Sequence, residues 1–302
     1  MTPDRADVVA AARRIHGRVH RTPVLTSRTL NALLGVELVF KCENLQRTGA
    51  FKMRGATNAV ALLPDDVGTV ATHSSGNHGA ALALAAAESG RRAIIVVPRN
   101  ARTSKRAAIE RYGAEVVDCA PTLEAREAAL TRIVDRTGAV FVPPYDHPGI
   151  IAGAGTATLE LLEQCPGLDQ VWVPVGGGGL AAGTAIAVDG AAEAVLAEPE
   201  LARDAKDSLE SGALRPALPP KTIADGLRTA LGRLNFEILR RAGCRVHVAS
   251  EASIKRWTAR ITEIMKIVVE PSAAVTVAAM AENPGISQGR VGVILSGGNC
   301  GP

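Results

Sequence analysis

Apolar and polar positions follow two rhythms along this chain, and the switches between them predict its elements. Apolar residues recur at helical spacing over residues 4–16, closed by Gly17. Thr22-Pro23-Val24-Leu25 reads as extended, because a proline steers the residue before it away from helix. Ser27 caps a short helix ending at Leu34-Gly35, and residues 36–41 alternate as a strand. A helix is predicted from about Phe51 to Leu63, stopped by Pro64. Next come strands at 68–73, 93–97, 115–118 and 139–142, separated by helices at 76–89, 103–112 and 122–136. Beyond Pro143-Pro144 the pattern predicts helices at 154–164, 180–189, 235–241, 251–266 and 272–281. Strands are predicted there at 170–175, 194–197, 245–249 and 290–295, with a loop over 211–222.

Strand–helix alternation with short apolar strands predicts an α/β fold of parallel sheets covered by helices. The later part of the chain supplies few strands for a sheet of its own. The early strand at 36–41 is therefore expected to join it. Residues 69–145 then form a small inserted α/β domain, within a large domain made of 1–68 and 146–302. The cleft between two such sheets is the natural binding site.

Composition narrows the functions available. The 302 residues are 47% hydrophobic, 21% charged and only 3% aromatic. Few aromatics and a net charge of +4 with no basic run argue against nucleic acid. Cys42, Cys119, Cys165, Cys244 and Cys300 are odd in number and far apart, as expected of reduced thiols. No apolar run is long enough to span a bilayer, and the first residues form no signal core, so a cytoplasmic protein is expected.

Chemistry concentrates in four loops. Thr48-Gly-Ala-Phe-Lys-Met-Arg-Gly-Ala56 sets Lys52 at a helix N-terminus, where the dipole disfavours a cation and lowers an amine pKa. That suits a nucleophile or base. Ligands of open α/β sheets bind at strand carboxyl ends, and three glycine-rich loops occupy that position. Gly176-Gly177-Gly178-Gly179 opens a helix and can turn backbone N–H groups onto a phosphate. Its spacing is neither a dinucleotide fingerprint nor a nucleotide phosphate loop. Ser74-Ser75-Gly76-Asn77-His78-Gly79 offers hydroxyls, an amide and an imidazole at a helix start, suited to a carboxylate. Ser296-Gly297-Gly298-Asn299 follows the last strand. A lysine nucleophile beside a phosphate cradle points to pyridoxal phosphate.

These motifs resemble the serine racemase and serine/threonine dehydratase family of fold-type II pyridoxal-phosphate enzymes, whose fold is tryptophan synthase β-like. The resemblance spans nearly the whole chain. It includes Lys41-Cys-Glu-Asn-Leu-Gln46, Thr222-Ile-Ala-Asp-Gly-Leu-Arg228 and Val269-Glu-Pro-Ser-Ala273 beside the loops above. It implies that Lys52 holds the cofactor and serves as base at the substrate Cα. Phe51 would pack on the cofactor ring, Asn77 bond its phenolic oxygen, Gly176 to Gly179 hold its phosphate, and Ser296 face its ring nitrogen. A hydroxyl there, in place of an aspartate, leaves that nitrogen largely unprotonated and favours loss of a β-substituent. Ser75 would stand on the face of the substrate opposite Lys52. Ser74, Ser75, Asn77 and His78 would hold the substrate carboxylate, and Arg126 falls at a substrate-site arginine. Glu198, the Ala202 carbonyl and Asp204 match a loop that binds Mg2+ or Ca2+ through hard oxygens.

The implied activity is dehydration of a small β-hydroxy amino acid to a 2-oxo acid and ammonia by a homodimer. Racemisation, or dehydration of a 3-hydroxyaspartate, is the alternative within the family. A β-replacement synthase or an inactive binding protein fits the motifs less well. Ala80 and Ala154 depart from the family, which has glutamine at both places, and bear on the preferred substrate. The chain stops soon after Asn299, so no C-terminal regulatory domain is expected.

Overall fold

A computed structural model describes residues 2–217 and 221–300. Part of the loop expected over 211–222, residues 218–220, lies outside them. The first elements are α1 (Arg5–Ile15), β1 (Val24–Thr26), α2 (Arg28–Leu34), β2 (Glu37–Cys42) and α3 (Lys52–Ala61). Then β3 (Thr69–His73), α4 (Asn77–Glu88), β4 (Arg92–Pro98), α5 (Thr103–Arg111), β5 (Glu115–Cys119), α6 (Leu123–Thr137) and β6 (Val140–Phe141) alternate strictly. The chain continues through α7 (Pro148–Gln164), β7 (Gln170–Pro174), α8 (Gly179–Val188), β8 (Glu193–Pro199) and α9 (Asp204–Ser211). It closes with α10 (Arg233–Arg241), β9 (Arg245–Ala249), α11 (Glu251–Met265), α12 (Pro271–Glu282) and β10 (Arg290–Leu295).

Local chemistry explains many boundaries. Asp4 and Asp7 form a capping box at the start of α1. Ser27, Thr122 and Ser250 cap α2, α6 and α11, each hydroxyl accepting a backbone N–H three residues on. Gly35 and Gly138 end α2 and α6 in the left-handed conformation.

Two sheets result. One has the order β1-β2-β10-β7-β8-β9 and the other β5-β4-β3-β6. The early strand β2 does join the later ones, pairing in parallel with β10 from Glu37–Arg290 to Cys42–Leu295. Every strand of the four-stranded sheet comes from between Thr69 and Phe141. Strand β10 is nearly all apolar, because sheet neighbours and covering helices leave it no wet face; Val291, Val293 and Leu295 are fully buried. Trp172, Phe40 and Leu38 fill the same core with α11 and α12. Each such side chain contributes about 1.5–3 kcal/mol by leaving water.

Three features depart from the pattern-based reading. Strand β1 runs antiparallel to β2 and forms an edge of the larger sheet. Helix α7 starts at Pro148, not 154, because a proline is preorganised for the first helical position and His147 caps it. The 204–211 segment is a helix, capped from outside by Glu198 and not by a residue of its own.

Candidate active site

Sequence order scatters the candidate residues, and topology collects them at strand carboxyl ends. The Ser74–Gly79 loop leaves β3 and opens α4. The glycines follow β7 and open α8, and Ser296 follows β10. Lys52 is the first residue of α3.

The loop carrying Lys52 is built against the last loop of the chain. Thr48 holds φ 60°, unusual for a side chain other than glycine, and Gly49 follows at φ 70°. This reversal lets Ala50 bridge to Gly297, and lets Phe51 N–H donate to Ser296 O at 3.0 Å. Gly298 N–H donates to Gly49 O at 2.9 Å, and Asn299 Nδ2 to Thr48 O at 2.8 Å. Ser296 and Lys52 are thereby fixed on one rigid unit.

Behind them lies a buried ionic network. Arg54, fully buried, donates from Nε and Nη2 to Glu43 at 2.7 and 2.8 Å and makes two bonds of 2.8 Å to Glu160. Burial disfavours the guanidinium charge, but Glu43 and Glu160 more than offset this and hold its pKa raised. Lys41 joins from β2, donating to Glu160 at 2.7 Å and to Thr22 O at 2.9 Å. The network ties α3 to the turn after β2 and to α7.

Lys52 Nζ donates to Pro144 O at 2.7 Å, and lies 5.0 Å from the Phe51 ring centroid and 6.0 Å from that of Tyr145. Burial lowers its pKa to about 8, against the pull of Glu270. A free amine is thus accessible near neutral pH, through burial and not through the helix start that the sequence suggests.

The glycine loop forms a cradle. Gly178 has φ +92°, and a Cβ on Gly177 would sit 2.4 Å from the Tyr145 ring. Gly177 N–H donates to Thr229 Oγ1 at 2.9 Å, and Asn235 Nδ2 to Gly177 O at 2.7 Å. The first N–H groups of α8 have no acceptor within their own helix and face where the loop turns. An amine of lowered pKa, an aromatic neighbour, a hydroxyl at a strand end and a glycine cradle are the donor set that pyridoxal phosphate requires. The residues fit it.

Across the cleft, Ser74, Ser75 and Asn77 are partly buried, and Asn77 starts α4. The His78 ring is buried, with Nε2 donating to Val142 O at 3.1 Å. Burial, and then Lys52, lower its pKa to about 3. The ring is neutral and its one N–H is committed, so what His78 offers an anion is its backbone N–H. Arg126, on α6, is partly buried, and its charge is felt by His73 and by Tyr145. Arg126 Nε donates to Thr122 O at 3.3 Å, at the start of its own helix.

Glu198 ends β8 buried, accepting N–H bonds from Ala205 and Lys206 at 3.0 Å each. Asp204 accepts from Leu231 N–H at 2.8 Å. Burial, and then mutual repulsion with Asp204, raise the Glu198 pKa well above that of an ordinary carboxylate. Ala202 lies in the turn between them. Among the described residues no group of three or more His, Cys, Asp or Glu is arranged to hold a metal.

Three residues of the site have weaker sequence signals. Tyr145 follows the Pro-Pro pair, in a segment read as punctuation. Glu270 precedes a helix-starting proline and resembles an ordinary cap. Asn299 lies past the last strand. All three belong to motifs whose neighbours were legible.

Residues 15–297 match the family described as pyridoxal-phosphate dependent enzyme. The chain is 43% identical over 303 residues to β-hydroxyaspartate dehydratase of Paracoccus denitrificans (strain Pd 1222), covering 98% of this chain and 96% of that one. It is 44% identical over 303 residues to serine racemase of Dictyostelium discoideum, covering 97% and 94%. The crystal structure of T.th. threonine deaminase superposes with a TM-score of 0.95 at 41% identity, covering 99% of each chain.

Proposed function

The chain belongs to the pyridoxal-phosphate dependent enzyme family, and we propose that it is a dehydratase of small β-hydroxy amino acids with L-serine, L-threonine and 3-hydroxyaspartate as its candidate substrates. Racemisation at the same carbon is the companion activity. The observation that carries this reading is the lone amine of Lys52, with a pKa of about 8, set between the glycine cradle and a helix start rich in hydroxyl and N–H donors.

Pyridoxal phosphate, held by Lys52, Phe51, Asn77, Gly176 to Gly179 and Ser296, supplies an electron sink for the pair left at the substrate Cα. The chain's own residues then do the following. Ser74, Ser75 and the N–H groups of Asn77 and His78 orient the carboxylate, and Arg126 lines the same side. Lys52 takes the Cα proton on its face and passes it to the β-hydroxyl, which leaves as water with its bonding pair, and the enamine released takes up water to give the 2-oxo acid and ammonia. In this reading Ser75, from the other lobe, returns a proton to the opposite face. Elimination and racemisation thus compete after one proton transfer. The hydroxyl of Ser296, a neutral partner for the ring nitrogen, keeps the sink weak and favours elimination.

Glu198, the Ala202 carbonyl and Asp204 hold a divalent cation in this reading. Two neighbouring carboxylates with raised pKa are the chemistry that a hard cation relieves. Asp204 also binds Leu231, one residue before Gly232 N–H donates to Gly177 O at 3.1 Å, so a cation there would stiffen the cofactor cradle. The enzyme works in the cytoplasm as a homodimer, a setting consistent with its five unpaired cysteines and with no described helix long and apolar enough to cross a membrane.

The test is to incubate the pure enzyme with each of the three substrates and follow 2-oxo acid and enantiomer together, with Mg2+ and with chelator. Turnover of at least one substrate, lost in Lys52→Ala by about a thousandfold or more, is expected. Absence of both products from all three would end the proposal, and turnover that needs an added thiol would replace it with β-replacement.

A further inference from the structure

Glu270 has the position of a helix cap and does not act as one. It stands immediately before Pro271 at the start of α12, yet its carboxylate makes no bond to that helix. The side chain is 4% exposed and turns into the cleft. Both carboxylate oxygens accept from Asn77 Nδ2 on the opposite lobe, at 2.9 and 3.1 Å. The backbone N–H of Glu270 donates to Gly297 O at 3.0 Å, and a Cβ on Gly297 would lie 2.6 Å from Glu270 Oε1. The loop of Ser296 is therefore shaped around this carboxylate.

Asn77 Oδ1 accepts from Asn299 Nδ2 at 2.9 Å, and the same nitrogen donates to Thr48 O at 2.8 Å. One chain of bonds runs from the Lys52 loop through Asn299 and Asn77 to Glu270. It leaves the Asn77 amide one orientation, oxygen toward Asn299 and nitrogen toward Glu270. A buried carboxylate that accepts from a neutral amide and not from a cation keeps its charge available to other neighbours.

We propose that Glu270 is the positioning residue of this site, fixing the Asn77 amide across the cleft and setting its carboxylate beside Gly297, which bridges to Ala50 two residues before Lys52. This rests on the reading of Lys52 as the cofactor lysine. Burial pushes the Glu270 carboxyl up, while the Asn77 bond opposes that shift. Asp225, from the turn after Thr222, repels it, and Lys105, from α5, attracts it. Those two form an ion pair with each other, and the Cys300 thiol also faces the Glu270 charge. The ionised carboxylate in turn supports the proton on Lys52 against burial.

Two substitutions separate the roles. Glu270→Gln keeps an acceptor oxygen for Asn77 and removes the charge, and Glu270→Ala removes both. In the full-length chain freed of cofactor, acylation of Lys52 by a small reagent is followed from pH 6 to 10 by peptide mass. Pyridoxal phosphate affinity is measured separately by titration. For Glu270→Gln the Lys52 midpoint is expected to fall by about half a unit or more from that of the parent. Cofactor affinity should stay within about threefold, since the amide anchor survives. For Glu270→Ala the same fall is expected, with affinity lower by about tenfold or more. A midpoint that does not move in folded Glu270→Gln overturns the charge role. Unchanged affinity in Glu270→Ala overturns the anchoring role. Failure of pyridoxal phosphate to protect Lys52 from the reagent would instead remove Lys52 as the cofactor lysine, and the midpoint comparison would still decide Glu270.

Discussion

The two walls of the cleft are held by different means. On the Lys52 wall, α3 is clamped by the ionic network of Arg54, Glu43, Glu160 and Lys41, and its loop is bonded to the Ser296 loop by three hydrogen bonds between Thr48 and Asn299. On the Ser74–Gly79 wall, α4 packs on α3 through a shared apolar core that includes Met53, Ala56, Val60, Ala81 and Leu82, and the contacts that cross at the cleft itself are polar. Asn77 meets Glu270 and Asn299, and Lys105 meets Asp225. The carboxylate wall is thus the lighter held of the two at the cleft mouth, an arrangement that can close on a substrate.

The sharpest way to break this contrast is to attack the clamp. Arg54→Met leaves the fully buried Glu43 carboxylate without its cation, and Glu160 with Lys41 alone. A loss of about 3–5 kcal/mol of stability is expected, because an uncompensated buried charge costs more than a broken surface pair. Urea unfolding with and without pyridoxal phosphate measures it. A loss below about 1 kcal/mol, the range of exposed pairs, would show that the wall is not clamped there.

Gly177→Ala strikes the fixed wall more locally. The new methyl would meet the Tyr145 ring at 2.4 Å, a distance at which the ring or the loop must shift. Cofactor affinity should fall by about tenfold to a hundredfold, from roughly 1–3 kcal/mol of overpacking. The fold should survive, because the contact lies at the cleft and not in either sheet core. Titration with pyridoxal phosphate, alongside circular dichroism, reads both. Unchanged affinity would mean that Tyr145 moves aside freely and does not shape the cradle.

The contrast also explains what the sequence could disclose. Strand β10 has the limits that its apolar run predicts, because a buried parallel strand is apolar nearly throughout, and the edge strand β9 matches its predicted limits with only Val246 and Ala249 buried. Lys52 and the three glycine loops were legible because strand ends, helix starts and glycine runs are local features. Edge strand β1 and the N-terminal turns of α7 were less so. The direction of β1 depends on a partner across the sheet, and a helix opening on proline resembles a break. The ionic clamp left a trace in charged residues at buried phase, Lys41 inside a strand and Glu160 inside an apolar helix face, but their pairing is tertiary. Glu270 is the extreme case, since nothing local distinguishes a carboxylate that caps its own helix from one that reaches across a cleft.

The smallest expected effect lies on the light wall and tests it most directly. Lys105 on α5 and Asp225 on the opposite lobe form an ion pair, and their side chains are 22% and 29% exposed. The loop bearing Asp225 is held firmly, with Gly226 N–H on Ser272 Oγ at 3.0 Å and Ile223 N–H on Glu251 at 2.7 Å. Movement in this contact is therefore left to α5. Partial exposure limits the pair to about 0.5–1 kcal/mol, so Lys105→Met should lower kcat/KM by about two- to fivefold. Unfolding midpoint and cofactor affinity should hardly change. If the pair closes the cleft, the loss falls on KM, shrinks as salt screens the parent's pair, and is not deepened by adding Asp225→Asn. A loss confined to kcat, or one that doubles in the paired variant, would mean that α5 does not move against the Asp225 loop and that both walls are fixed.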